Sequence, residues 1–331
     1  MAVRLIVLTV LALVTIIGAV RLGAVSLTTS DVLDAIRGIG DPATVTIVRE
    51  LRLPRALQAA LAGAALAVSG ATFQALLRNP LAEPYILGVS SGAAVGAVIT
   101  VVTGLSVRLV WSLPLAAFAG AVLSMLLVFR IAFSVGRALD TRVLLLAGVV
   151  VSAFLVAVTW LILTFADTDS VRSAIFWMMG SHANASWRSV GILLTCLVPA
   201  LAILFAQARA LNLLAIGEAT AAYLGASVER TKLVAFGTAT LLTAASVSVS
   251  GTIGFVGLVV PHAIRLIWGS DNRALLPCSA LAGAAFLVAA DTLSRSLAGA
   301  NELPVGIVTA LVGVPCFVWL LRRPTATGLI T

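Results

Sequence analysis

Ten apolar stretches, separated by short polar connections, run through the chain. Within each stretch the apolar positions are continuous, whereas the strands of a membrane barrel alternate apolar and polar residues. Proline, glycine, arginine and acidic residues collect in the connections, where helices end. The pattern therefore predicts about ten helices, at roughly 4–24, 54–77, 86–104, 109–133, 143–166, 189–208, 232–250, 254–268, 274–296 and 303–321.

Composition indicates that these helices lie in a membrane. Of the 331 residues, 61% are hydrophobic and 10% are charged, and the mean hydropathy is +1.14. Soluble domains carry about 25% charged residues, and a spanning helix needs about 20 apolar residues. We therefore expect an all-α, polytopic bundle that forms one transmembrane domain over 1–331. The first stretch is interpreted as a retained helix, because no cleavage site before a soluble domain follows it.

The placement of basic residues predicts which helix ends face the cytoplasm. With the N-terminus inside, 12 of the 21 lysine and arginine residues fall in inside connections and the other nine fall outside. The bias is small because Arg49, Arg52 and Arg55 cluster on the outer side. The net charge of +8 is scattered over the connections, so we attribute it to anionic lipid and topology rather than to nucleic acid.

The sequence lacks a motif that would supply energy for transport. Its single lysine, Lys232, follows threonine, whereas a phosphate-binding P-loop requires Gly-Lys-Ser/Thr. The acidic residues fall in connections or near helix ends, which argues against coupling to a proton or sodium gradient. We therefore predict that the chain is not an enzyme and that a partner supplies the energy.

The histidines and cysteines form no metal-binding pattern in the sequence. His182, in the segment SHANASW, is either a solvated loop residue or an outer contact for a haem or metal cargo, and His262 belongs to a distant segment. The three cysteines lie in apolar runs without metal-ligand spacing, so we interpret them as small buried hydrophobic residues. No cofactor is expected to bind to this chain.

A series of motifs carries a resemblance to a known family. The chain resembles the bacterial permeases that import iron–siderophore chelates, haem and vitamin B12 by ATP-binding-cassette (ABC) transport. The resemblance spans nearly the whole sequence, in the order that the family shows. The matching segments are RLPR, GAALAVSGATFQALLRNPLAEP, LGVSSGA, LLLAG, FWMMG, AIGEATAAYLG, GFVGLVVPHAIR and ELPVGIVTALVGVPCFVWLL.

The resemblance implies a multi-subunit importer in the inner membrane of a bacterium. Two permease subunits, identical or different, would surround a central pathway. Two cytoplasmic ATPases would bind ATP and magnesium, and a periplasmic or lipid-anchored binding protein would deliver the cargo outside. An iron–siderophore or haem is the expected cargo, with cobalamin as the alternative. A secondary transporter that works alone is a less favoured reading of the same sequence.

The segment LLRNPLAEPYILGVSSGA predicts an inner gate. Pro80 and Pro84 lack amide donors, so the preceding helix should end near Asn79, with its polar residues at the cytoplasmic mouth. The resemblance implies that Asn79 and Leu81 help to close the pathway; a simple capped turn is the alternative. Further pathway candidates are Ser90, Ser91 and, where the sequence departs from the B12-type pattern, Thr141.

A second candidate site lies in LAIGEATAAYLGASVERTK. Two glycines bracket a stretch long enough for about two helical turns; Glu218 suits the positive end of the helix dipole, and Gly225 suits a left-handed cap. The segment is either a connector or, as the resemblance implies, the part that fits a groove of the ATPase. The residues assigned to that contact are Gly217, Glu218, Ala221, Leu224 and Gly225.

Three outer arginines form the third candidate site. Arg52, Arg55 and Arg295 match positions that, in the vitamin B12 branch, receive acidic residues of the binding protein. Guanidinium groups pair bidentately with carboxylates. Arginines near helix ends also extend to the membrane interface without a binding role, which is the alternative interpretation.

Overall fold

The apolar stretches fold into helices that cross the protein between two opposite faces. The computed structural model describes residues 1–23, 27–135, 140–297 and 302–322. The helices of this part of the chain are α1 (Ala2–Arg21), α2 (Thr29–Arg37), α3 (Pro42–Thr46), α4 (Leu53–Leu76), α5 (Val89–Val102), α6 (Leu105–Arg108), α7 (Ser112–Val135), α8 (Thr141–Thr164), α9 (Thr168–Met178), α10 (Trp187–Ala206), α11 (Ala208–Ile216), α12 (Glu218–Tyr223), α13 (Val228–Ser250), α14 (Val256–Trp268), α15 (Asn272–Leu297) and α16 (Val305–Arg322). A π-helical turn (Ile47–Arg52) leads into α4, and a 3₁₀ turn (Pro84–Leu87) precedes α5.

Ten of these helices correspond to the ten predicted stretches. Among the described residues, seven are long and apolar enough to cross a membrane: α1, α4, α7, α8, α10, α13 and α15. Three shorter apolar helices, α5, α14 and α16, account for the other stretches. The prediction of an all-α polytopic bundle is confirmed, and the remaining short helices lie in the connections.

Residues that the sequence predicts to lie inside and outside the membrane are found at opposite faces of the bundle. The guanidinium of Arg4, at the start of α1, donates a hydrogen bond of 2.9 Å to the carbonyl of Trp268, at the end of α14. At the other end of α1, the carbonyls of Val20 and Arg21 accept hydrogen bonds from Arg52. We call the first face the inner face and the second the outer face, following the predicted orientation.

Helix α4 is the centre of the bundle because its side chains are small. Twenty of its 24 residues are buried, most of them alanine or glycine, and it packs against α10, α13, α14 and α15. By contrast, α8 buries only six of its 24 residues and presents large apolar side chains to its surroundings. Small residues let helix backbones approach closely in a membrane. Gly63 meets Gly283 of α15, and Gly70 meets Gly257 of α14, at such contacts.

The helix pair α13 and α14 is interrupted inside the bundle. Residues 251–255 are not helical, and both Gly251 and Phe255 have positive φ angles, of 68° and 69°. The Tyr85 hydroxyl donates to the carbonyl of Ile253 (2.9 Å) and accepts from its amide (3.0 Å). Glu83 accepts from the amide of Phe255 (3.0 Å). The turn before α5 therefore satisfies backbone groups that lipid cannot.

The close approach of α4 and α14 leads to a stability prediction. Alanine is favoured over glycine in a helix by about 1 kcal/mol, but a Cβ at Gly70 would overlap the backbone carbonyl of Gly257. Since α14 must shift to make room, we expect Gly70→Ala to lower stability by about 1–3 kcal/mol. The apparent Tm of the purified protein measures the effect. Gly237→Ala is the matched control, because a Cβ there meets nothing within 4 Å; an equal Tm for both variants would contradict the packing argument.

Candidate gate, coupling and docking sites

An apolar cavity of about 380 Å³ lies where three segments meet. Thr252 donates to the carbonyl of Met178, the amide of Gly306 donates to Met179 (3.2 Å), and the amide of Val305 donates to Gly180 (3.1 Å). The end of α9, the interruption 251–255 and the start of α16 are thereby joined. The lining consists of Met178, Met179, Thr252, Gly254, Phe255, Gly306, Ile307, Ala310 and Leu311.

The residues that line this cavity have no predicted role, although they lie in motifs that carry the family resemblance. FWMMG, GFVG and ELPVG each contribute to the lining. The glycine in each of these motifs was the sequence feature that could have indicated their close packing. A Cβ on Gly306 would overlap the carbonyl of Met179, and one on Gly180 would lie 2.6 Å from the carbonyl of Thr252. These glycines are therefore required by backbone contacts between segments that are distant in sequence.

A larger cavity of about 780 Å³ opens toward the outer face. It lies between the α5–α7 connection, α9, the start of α10 and residues 302–304. Its lining is rich in serine, including Ser250, whose buried hydroxyl makes no hydrogen bond within the described residues. The Arg188 guanidinium lies 5.7 Å from the ring centroid of Trp111, which also lines the cavity.

The predicted inner-gate residues Asn79 and Leu81 form one turn after α4. The Asn79 side chain accepts a hydrogen bond of 2.9 Å from the amide of Leu81, and both residues are exposed. Arg78 precedes them with a φ of 49°, a conformation that non-glycine residues rarely adopt. The helix ends where the prolines predicted that it would. The turn is both capped and exposed, so it is compatible with either reading of the sequence.

The other gate candidates lie on separate helices. Ser90 and Ser91 occupy the first turn of α5 and are partly exposed. Thr141 is the first residue of α8, and its hydroxyl makes no hydrogen bond among the described residues. The neighbouring positions 138 and 139 lie outside the described residues. No hydrogen bond in the described chain joins these three side chains to Asn79, so their assignment to the gate stays a prediction.

The candidate coupling segment has the local structure that its glycines predicted. Gly217, with a φ of 146°, separates α11 from α12, and Gly225 adopts the left-handed conformation with a φ of 83°. Glu218 begins α12, as the dipole argument expects, and its carboxylate pairs with Lys232 at 2.5 Å. This ion pair fastens α12 to the start of α13. The conformational predictions for Gly225 and Glu218 are confirmed, whereas no observation tests a contact with an ATPase.

The surface of the coupling segment differs from the one assigned by sequence. Ala221 is fully buried, so it supports α12 from within and is corrected from a surface contact to a packing residue. Leu224 is 59% exposed, as the assignment requires. Tyr223 is 93% exposed and Ile216 is also exposed, although neither was assigned. An aromatic side chain in a short polar helix was the signal that could have identified Tyr223.

The gate turn and the coupling segment are neighbours at the inner face. A Cβ built on Gly217 would lie 4.0 Å from the Nη1 atom of Arg78, the residue directly before the gate turn. The two candidate sites, which are about 140 residues apart in sequence, therefore adjoin in the fold.

The three outer arginines are bonded within the chain. Arg52 is buried and donates to Val20 and Arg21 (3.0 Å each), while Arg295 donates to Ala19 (3.2 Å) and Leu22 (3.4 Å). These carbonyls at the end of α1 have no partner within the helix. Both guanidinium groups thus stabilise the end of α1, and the assignment of Arg52, Arg55 and Arg295 to docking of a binding protein stays a prediction.

Arg55 occupies the centre of an ion-pair network. Its guanidinium contacts Asp291 of α15 at 3.0 Å and Glu302, just before α16, at 2.8 Å. Asp291 also pairs with Arg295 at 3.3 Å. Sequence analysis noted both acids only as residues near helix ends. The sequence did not indicate that they pair with Arg55, because each pair joins positions more than 230 residues apart.

His182 is neither a solvated residue nor a surface contact. It is fully buried, and its Nδ1 atom lies 3.2 Å from the Nε2 atom of Gln58 on α4. The Gln58 oxygen accepts from the hydroxyl of Ser189 on α10. Both readings of His182 from sequence are therefore corrected, because its imidazole belongs to a buried polar cluster that connects the 179–186 loop to α4 and α10.

Burial shifts the pKa values of two groups in the connections. Burial lowers the pKa of His182 from 6.5 to about 4, which keeps the imidazole neutral at physiological pH. Burial also raises the pKa of the Glu83 carboxyl above its usual range, although the amide of Phe255 partly offsets this by bonding to its charged form.

The shifted pKa of His182 predicts a pH dependence of stability. An unfolded histidine takes up a proton near pH 6.5, while the folded one resists until about pH 4. Folded protein therefore loses stability as the pH falls through that window. We expect the apparent Tm to fall less between pH 7 and pH 4.5 in His182→Asn, which retains a polar partner for Gln58, than in the unchanged protein. Identical pH profiles would contradict the assignment of a neutral buried imidazole.

Comparisons with known proteins agree with these features. The model of the FecCD transport family matches residues 10–323. The chain is 49% identical over 285 residues to the cobalamin import system permease protein BtuC of Halobacterium salinarum, covering 86% of this chain and 75% of the relative. It is 44% identical over 277 residues to the vitamin B12 import system permease protein BtuC of Escherichia coli O157:H7, covering 83% of each.

Solved structures support the same assignment. An inward-facing conformation of a metal-chelate type ABC transporter aligns with a TM-score of 0.88 at 32% identity, covering 98% of this chain and all of the other. The fold alone is shared with PsaBC from Streptococcus pneumoniae, at a TM-score of 0.59 and 16% identity. The chain belongs to the FecCD transport family and is a permease subunit of an ABC importer, not an ATPase.

Proposed function

We propose that this permease imports cobalamin through the inner membrane of a prokaryote, driven by two cytoplasmic ATPases and supplied by an outer binding protein. The observation that supports this cargo most directly is the 49% and 44% identity to permeases named for cobalamin and vitamin B12 import. The sequence analysis favoured an iron–siderophore or haem over cobalamin. These two relatives reverse that order of preference.

The apolar cavity is suited to a chelate that must cross intact. Carboxylate, imidazole and thiolate groups are absent from its nine lining residues, so the walls offer none of the ligands that bind transition metals most strongly. Two permease subunits facing each other would enlarge the space beyond that within one chain. An iron chelate remains the second candidate, because one similar structure is a metal-chelate type transporter.

The adjoining gate turn and coupling segment support ATP-driven gating. Tyr223 and Leu224 would enter a groove of the ATPase, and movement of the segment would reach Asn79 and Leu81 through Arg78, whose side chain lies beside Gly217. Ser90, Ser91 and Thr141 would line the pathway. In this proposal the partner ATPases supply the driving force.

Reconstitution tests the proposed function. The permease is placed in lipid vesicles with its ATPase, and ATP hydrolysis is measured with binding protein loaded with cobalamin, ferric siderophore or haem. We expect cobalamin to give several-fold stimulation and ATP-dependent uptake. Stimulation only by binding protein loaded with a ferric siderophore or haem would overturn the assignment of cobalamin as the cargo. Uptake under an ion gradient without the ATPase would favour a secondary transporter and overturn the proposal.

The exposed aromatic residue of the coupling segment gives a separate prediction. Tyr223→Ala removes a side chain that is 93% exposed, so folding should be unaffected, whereas a buried aromatic anchor in an interface commonly contributes more than 1 kcal/mol. We expect the affinity for the ATPase to fall roughly tenfold. Phe165→Ala is the matched control, because Phe165 is 83% exposed at the outer end of α8. Equal ATPase affinities in the two variants would remove Tyr223 from the contact.

A further inference from the structure

Glu83 holds the backbone of a residue that lines the apolar cavity. Its Oε1 atom accepts a hydrogen bond of 3.0 Å from the amide of Phe255, which belongs to the cavity lining. Within the described ranges, no lysine or arginine forms an ion pair with Glu83. A carboxylate within a membrane bundle is costly and usually marks a functional position. Glu83 therefore calls for a role other than the balancing of a charge.

Phe255 has a backbone conformation that its side chain disfavours. Its φ is 69°, in the left-handed region that residues with a bulky side chain rarely adopt. Neighbouring side chains enforce this conformation, because Glu83 fixes the amide of Phe255 and the Tyr85 hydroxyl bonds to both backbone groups of Ile253. Backbone strain of this kind persists only where such contacts hold it, and it concentrates at functional sites.

The side chain of Phe255 lies against α16 at the wall of the cavity. A Cβ built on Gly313 would lie 2.6 Å from the Cβ of Phe255 and 2.9 Å from its Cγ, so the glycine leaves room for the aromatic side chain. Met178 and Met179 line the same cavity. An aromatic ring and flexible thioether side chains together form a polarisable, apolar surface. Such a surface suits the flat, apolar face of a macrocyclic chelate.

The chain that carries Glu83 also forms the predicted gate turn. Ala82, directly before Glu83, donates its amide to the carbonyl of Asn79 at 3.1 Å. The Asn79 side chain in turn accepts from the amide of Leu81 at 2.9 Å. Movement of Phe255 would therefore reach Asn79 through one hydrogen bond and one turn of the chain.

We propose that Glu83 is a positioning residue for transport, which holds Phe255 against the cargo in the apolar cavity and connects this contact to the gate turn. The inference rests on the proposed function, because it requires a cargo that passes the cavity. Phe255 contacts the cargo, a macrocyclic chelate such as cobalamin, whereas Glu83 acts through Phe255.

The test is the ratio of cobalamin imported to ATP hydrolysed, in vesicles that contain the permease, its ATPase and loaded binding protein. A variant that merely folds poorly loses import and hydrolysis together, so its ratio does not change. Glu83→Ala removes the acceptor for the Phe255 amide, and we expect it to lower the ratio roughly tenfold. Glu83→Gln keeps an oxygen that accepts this bond, so its ratio should stay near the unchanged value.

Two further variants complete the test of the carboxylate. Glu83→Asp is shorter by one methylene, which withdraws the acceptor but keeps the charge. It should lower the ratio several-fold, and it keeps the test valid if Glu83→Ala does not fold. Glu229→Ala is the matched control, because Glu229 is an exposed acid in the first turn of α13 on the inner face. An equal loss in Glu229→Ala would contradict a specific role of Glu83.

Variants of Phe255 separate its ring from its backbone. Glycine adopts a positive φ freely and alanine does not, so Phe255→Gly should have a higher apparent Tm than Phe255→Ala. Both variants lack the ring, and we expect both to lower the ratio roughly tenfold. A ratio that follows the Tm would instead show that Phe255 has only a structural role, and would overturn the cargo contact.

A double-mutant cycle tests whether Glu83 acts through Phe255. In a Phe255→Gly background, Glu83→Ala should cause no further loss of the ratio, because the ring that it positions is absent. A full further loss in the double variant, or an unchanged ratio in both Glu83→Ala and Glu83→Asp, would overturn the positioning role. These outcomes differ from a failure of the proposed function, in which the unchanged complex imports no cobalamin; if it imports a ferric siderophore or haem, the same ratio is measured with that cargo.

Discussion

Hydrocarbon cannot hydrogen-bond a backbone amide, and the arrangement of this bundle depends on that constraint. The long helices satisfy it internally, but residues 251–255 leave the helical path inside the bundle. Tyr85 bonds to the amide and carbonyl of Ile253, Glu83 accepts from the amide of Phe255, and the Thr252 hydroxyl donates to the carbonyl of Met178 at the end of α9. Other segments therefore cover the interruption, and residues 252, 254 and 255 line the apolar cavity together with the end of α9 and the start of α16. An interruption at a cavity, rather than facing lipid, is typical of transport proteins.

The charged side chains at the outer face of the bundle also need hydrogen-bond partners that hydrocarbon cannot supply. A guanidinium inside a bundle needs acceptors, and the end of α1 offers carbonyls that lack partners within the helix. Arg52 and Arg295 supply these carbonyls with donors, while Arg55 links three parts of the chain through Asp291 and Glu302. Of the two carboxylates, Asp291 is buried and Glu302 is exposed. This network thus connects α4, α15 and the segment before α16 at the outer face.

The inner face brings together the parts that would transmit motion. The turn that ends α4 and the segment between α11 and α13 are adjacent because α11 packs against both α4 and α13. Arg78 has a strained backbone between them, and strain of this kind concentrates at functional positions. Within the short helix α12, Tyr223 is exposed at the surface while Ala221 is buried against its own chain.

Local sequence was sufficient to predict the helices, the positions where they end and the left-handed conformation of Gly225. Continuous apolar runs, prolines and glycines act on their own neighbours, so their effects do not require the rest of the fold. The motifs were also sufficient to identify the family, since each can be recognised locally and their order along the chain is preserved. The same local reasoning predicted the turn at Asn79 and Leu81, because the prolines that end α4 are adjacent to it, whereas a gating role for the turn came only from the resemblance.

Tertiary structure alone decided the partners of the charged and buried polar groups. Arg55 meets Glu302 and Gln58 meets His182 across more than 120 residues, and no periodicity in the sequence specifies such pairs. The same holds for the cavity lining, which comes from three distant motifs, and for the burial of Ala221. Apolar patterning determines that helices form and enter lipid, whereas close contacts between helices determine which polar side chains find each other there.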